Sequence, residues 1–150
     1  MKLAEALQER ADLSRRIDQL RYRLSRNATV QEGEKPAEDP TELVAELDGC
    51  VKRLEELMAR INLTNANTRI GGATLTELIA KRDALNLKLS VYRSFLSEAS
   101  NLAGRATRNE IKILSTVNVR KLQKQVDDMS RDLRLTDNAL QQANWTSDLQ

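Results

Sequence analysis

Histidine is missing from this chain, and cysteine occurs only once, at Cys50. The absence of histidine excludes histidine-based metal sites and the Ser-His and Cys-His nucleophile systems. A single cysteine can form neither an intramolecular disulfide nor a thiol zinc site. Few enzyme classes remain, so the sequence predicts a protein that is not an enzyme, with no catalytic residues, no metal site and no cofactor.

Aromatic residues are also scarce, because one Trp, two Tyr and one Phe make up 3% of the chain. Such a chain lacks the bulky side chains of a large globular interior. Charged residues make up 31%, and together with Ala, Leu and Gln they give the composition of long or coiled helices. The net charge is only +2, so no strong field attracts nucleic acid or an anionic membrane.

Long apolar runs are absent as well. None approaches the roughly 20 residues that a helix needs to cross a bilayer. The opening MKLAEALQER turns polar almost at once, unlike a signal peptide. The sequence therefore predicts no membrane span, no nucleic-acid partner and a cytoplasmic location.

Apolar residues spaced alternately three and four apart are the strongest positive signal. They predict four helices, at about 2–26, 40–65, 74–103 and 118–144. An acidic linker at 27–39 follows the first helix, Gly104 ends the third, and a β-branched segment at about 110–117 is extended, either as a loop or as a short strand. The expected fold is a single all-α domain over 1–150, in which antiparallel helical hairpins form a coiled-coil-like four-helix bundle.

Three helix starts carry capping signals. Asp39 precedes a first-turn proline, Thr74 and Glu77 have the spacing of a capping box, and Asn118 precedes the last helix. Gly71-Gly72 marks the turn before the third helix. These signals fix where the helices begin.

The predicted third helix carries a second apolar stripe away from its main heptad seam, formed by Leu87, Val91, Phe95 and Leu102. The second helix also has a wide apolar face, because Val44, Val51 and Met58 repeat every seven residues beside its seam. Soluble monomers seldom leave large apolar areas in water. The sequence therefore predicts a homo-oligomer or a protein partner. Trp145 docks either in its own core, the preferred interpretation, or in a neighbouring subunit.

A polar cluster, INLTNANTR, interrupts the pattern at the end of the second helix and contains Asn62, Thr64, Asn65, Asn67 and Thr68. Asn and Thr compete for backbone hydrogen bonds and favour helix ends, which is the simpler interpretation. In the alternative, these side chains form a polar site that faces a partner helix or a small ligand, with Arg69 and Arg82 brought together across a subunit interface.

Several other residues carry specific expectations. Arg10 and Arg82 occupy seam positions, where a buried charge is costly, so each meets a carboxylate or lies near a bundle end. Cys50 is expected to be a small buried hydrophobe on its seam. The charges near two narrow seams predict that the first and fourth helices pair, through Arg16, Arg21 and Arg23 with Asp132 and Asp137.

The motifs VQEGEKPAEDP, INLTNANTR, TLTELIAKRD, STVNV and QQANW occur in this order, and with them residues 1 to about 149 resemble the septicolysin-like family of small bacterial helical proteins. The resemblance supplies no catalytic or ligand residues. It implies, through the family's name, a membrane-acting cytolysin. The leading interpretation is a non-catalytic protein that self-assembles or acts as a coiled-coil interaction module. The other alternative is a ligand binder or enzyme with its site at Asn62–Thr68.

Overall fold

The computed structural model describes residues 1–102 and 111–150. Its elements are α1 (Leu3–Arg26), α2 (Pro40–Asn67), β1 (Arg69–Ile70), β2 (Ala73–Thr74), α3 (Leu75–Ser100) and α4 (Val119–Thr146). The all-α class with four helices is therefore confirmed. The bounds of α1, α2 and α4 lie close to the predicted ones.

The helix starts follow the local rules of the sequence. The Asp39 carboxylate accepts a backbone hydrogen bond from the first turn of α2, and Asn118 does the same for α4. Thr74 and Glu77 form the reciprocal pair of a capping box at the start of α3. All three predicted caps are confirmed, because each depends only on residues within one helical turn.

The end of α3 differs from the prediction of about 103, because the helix stops at Ser100. The Ser100 hydroxyl donates to the Leu96 carbonyl at 2.6 Å, a local bond of the kind that competes with helix continuation. The predicted stop at Gly104 and the first residue of the segment at 110–117 lie outside the described residues. Residues 111–117 form neither helix nor strand.

A two-stranded hairpin between α2 and α3 was not predicted. Strands β1 and β2 pair across Gly71 and Gly72, whose φ angles are 56° and 89°. Both values lie in the left-handed region that glycine adopts without strain, as two-residue hairpin loops require. The sequence indicated a turn at this position, and the strands on either side of it are two residues each.

The chain divides into two compact units. The first consists of Met1–Arg69 and Gln142–Gln150, and the second of Ile70–Gln141. The first unit holds α1, α2 and the C-terminal end of α4, and the second holds α3 and the rest of α4. The expectation of a single domain over 1–150 stays a prediction.

In the first unit, α1 and α2 form an antiparallel hairpin with a ladder of ion pairs along one side. Two of the pairs, Glu9–Arg53 and Arg16–Glu46, join the helices, and the third, Arg23–Glu38, joins α1 to the residue two positions before α2. Positions on α1 rise by one heptad from pair to pair while those opposite fall, which shows the antiparallel direction. Hydrogen bonds from Arg53 and Arg23 lower the pKa of Glu9 and Glu38 respectively. Because the pairs are partly exposed, they specify register more than they add stability.

The prediction that α1 pairs with α4 is wrong. Arg16 and Arg23 bond to Glu46 and Glu38 within the first unit, and Arg21 lies near Asp18. Within the second unit, Asp132 accepts a hydrogen bond from Lys81 of α3 at 3.0 Å. All four helices carry similar heptad patterns, so charge near a seam does not determine which helix it faces.

Three further seam residues, Arg10, Arg82 and Cys50, carried specific expectations. Arg10 is exposed, and Arg82 is half-buried and bonds to the Asp83 carboxylate at 2.9 Å. Arg82 thus meets a carboxylate as expected. Cys50 is a free, half-buried thiol rather than a fully buried one. The seams pack most closely at leucine and isoleucine positions: Leu3, Leu20, Leu57 and Ile61 in the first unit, and Leu75 and Leu89 in the second.

Candidate functional site

The polar cluster lies in the last two turns of α2, which continue regularly to Asn67. Asn62, Asn67 and Arg69 are exposed, while Asn65 and Thr68 are half-buried. The position of the polar cluster therefore agrees with the simpler interpretation, a helix end. The helix is not frayed there, because the Thr64 hydroxyl donates to the Arg60 carbonyl at 2.8 Å and Thr64 is fully buried.

Gln150 occupies part of this cluster. The Gln150 backbone N–H donates to the Thr64 hydroxyl at 3.0 Å, and the Asn67 amide donates to the Gln150 side-chain oxygen at 2.7 Å. The Arg60 guanidinium donates to the Gln150 carbonyl at 2.8 Å. Each of the three α2 side chains therefore bonds to Gln150.

The segment before Gln150 also bonds to the first residues of the chain. The Leu3 N–H donates to the Ser147 carbonyl at 3.0 Å, and the Leu149 N–H donates to the Met1 carbonyl at 2.9 Å. The Lys2 ammonium lies 2.7 Å from the Asp148 carboxylate and lowers its pKa. We call residues 147–150 with these partners the C-terminal clasp. Leu149 is buried within it.

Arg82, the other residue assigned to the polar site, belongs to the second unit and bonds to Asp83. A site that joins Arg69 and Arg82 across subunits stays a prediction. Sequence reasoning included Thr64 in the polar cluster but did not foresee its bond to Gln150, and it missed Arg60, which also holds the clasp. The only local signal was the Thr in a helix interior, a residue that often bonds to the carbonyl four positions earlier.

A cleft with a volume of about 830 Å³ lies between the end of α1 and the linker. Among its charged groups, Arg23 bonds to Glu38, and the Arg26 guanidinium lies 5.4 Å from the centre of the neutral Tyr22 ring. The linker adds Glu34 and Lys35, which have opposite charges. This mixed lining favours no particular ligand class.

The predicted stripe on α3 is exposed. Leu87, Val91 and Phe95 are 71%, 60% and 46% exposed, and Leu102 follows beyond the helix at 37%. The first three lie four residues apart and therefore form one continuous line along the helix. Phe95 also borders an apolar groove of about 410 Å³ in the second unit, whose other lining residues include Tyr92, Leu122 and Lys121.

A second exposed apolar line runs along α2 in the first unit. Val44, Val51 and Met58 are each nearly half exposed. We call these residues the α2 stripe, and Leu87, Val91 and Phe95 the α3 stripe. Contiguous exposed apolar surface of this kind marks interaction sites more often than isolated residues do.

Trp145 does not pack in the core, so the preferred interpretation of its role is wrong. Its side chain is 63% exposed near the end of α4. The residue lies one position before Thr146, where the helix ends, and the neighbouring apolar anchor of the clasp is Leu149 instead. Docking of Trp145 in a neighbouring subunit stays a prediction.

Neither a metal cluster nor a membrane span occurs in the part of the chain that the structure describes. No group of three or more His, Cys, Asp or Glu side chains there could hold a metal ion. None of the helices in residues 1–102 and 111–150 combines the length and apolar character needed to cross a membrane.

Comparison with known proteins places the chain among relatives without an established role. A crystal structure described as a functionally unknown conserved protein from Corynebacterium diphtheriae is 37% identical to this chain, with a TM-score of 0.91. The match covers 100% of this chain and 99% of that one. No curated protein matches. Residues 10–149 match a family described as a family of unknown function (DUF6847). The chain therefore belongs to this family, DUF6847.

Proposed function

We propose that this chain is a non-catalytic cytoplasmic protein that self-assembles into a homo-oligomer through the α3 stripe. The observation that carries the proposal is the exposure of Leu87, Val91 and Phe95 along one line of α3. Such residues are costly to leave in water, because fully burying each side chain is worth about 1.5–3 kcal/mol. Association would recover this free energy by burying the three side chains.

The groove beside Phe95 supports the same surface. Its lining comes from α3 on one side and from the start of α4 on the other, and includes Leu122. A convex apolar side chain from another helix would fit a depression of this kind better than a flat surface. The α3 stripe and the groove together supply both an exposed ridge and an adjacent recess.

The mass in solution tests the proposal. The unmodified chain is expected to have a mass that is a multiple of 17.0 kDa by light scattering on a sizing column. The double variant Val91→Glu with Phe95→Glu is expected to fall to a smaller folded species, because two carboxylates would be desolvated in the interface.

A matched control introduces two glutamates at exposed apolar positions outside the stripes. Val30 and Leu135 are comparably exposed and lie outside both stripes, so Val30→Glu with Leu135→Glu should retain the mass of the unmodified chain. Circular dichroism checks that every variant keeps its helix content. A folded, monomeric unmodified chain would contradict self-assembly, and the stripe would then be a surface for a different protein, as in the coiled-coil module alternative.

The other two alternatives have less support. A ligand or catalytic site at Asn62–Thr68 competes with the clasp, because Thr64 and Asn67 already bond to Gln150. A membrane-acting cytolysin follows only from the resemblance to the septicolysin-like family, which stays a prediction. Leakage of dye from lipid vesicles at micromolar protein would be the result that favours it.

A further inference from the structure

We draw no further inference here: the strongest candidate, the exposed α2 stripe of the first unit, is bordered by Lys52 as well as by Asp48 and Glu55, and nothing in the structure shows what covers it.

Discussion

Replacing Leu57 with alanine is expected to lower the free energy of unfolding by about 3–5 kcal/mol, the upper part of the range for buried leucines. Leu57 is fully buried in α2, on the side that faces α1 in the antiparallel hairpin. Truncation removes the transfer free energy of the lost methyl and methylene groups and leaves a cavity that rigid helices cannot close. Urea denaturation followed by circular dichroism measures the change.

Leu63→Ala is the matched control for this prediction. Leu63 lies on the same helix but is half exposed, so its truncation should change the free energy of unfolding by less than about 1 kcal/mol. A loss at Leu57 no larger than the loss at Leu63 would contradict the assignment of Leu57 to the core of the first unit.

Replacing Leu149 with alanine is expected to lower the free energy of unfolding by about 2–3 kcal/mol, although this residue stands almost at the end of the sequence. Leu149 is buried, its own N–H donates to the Met1 carbonyl, and the N–H of the next residue donates to the Thr64 hydroxyl. Chain ends are usually poorly ordered unless tied down. A large effect here would distinguish a clasp from a frayed tail.

Hydrogen exchange adds a readout specific to the clasp. In Leu149→Ala, the Leu3 and Gln150 amides should lose protection, because the Ser147 carbonyl and the Gln150 N–H, which flank Leu149, would no longer be held against their partners. Leu135→Ala, at an exposed position of α4, should leave both amides protected. Unchanged protection in Leu149→Ala would show that the clasp is held without its apolar anchor.

The sequence was most informative where structure depends on neighbouring residues. The helix starts at Asp39, Thr74 and Asn118 follow from capping, which acts within a single turn. The α3 stripe was also predictable, because helical periodicity alone places Leu87, Val91 and Phe95 on one side of the helix. That side of α3 lies away from the main heptad seam. The three residues therefore take no part in the helix packing that the seam residues form.

Longer-range choices were not predictable from periodicity. The heptad patterns of all four helices are similar, so nothing local specified that Arg23 bonds to Glu38 rather than to an acid on α4. The clasp joins Thr64 to Gln150 across most of the chain, and its backbone bonds carry no sequence signal. The assignment of Trp145 to the core was wrong for a related reason. A large apolar side chain near the end of a helix suggests that the segment docks, but it does not show that the buried residue is Leu149 instead.

Hydroxyl-radical footprinting over a range of protein concentrations tests self-assembly through the α3 stripe most directly. Radical oxidation reports the solvent exposure of individual side chains, and Phe95 and Met58 are reactive reporters of the α3 and α2 stripes. Tyr22, exposed on α1 outside both stripes, is the internal standard. Self-assembly predicts that oxidation of Phe95 falls as concentration rises while oxidation of Tyr22 stays constant. Oxidation of Phe95 that is the same from nanomolar to high micromolar protein would contradict it.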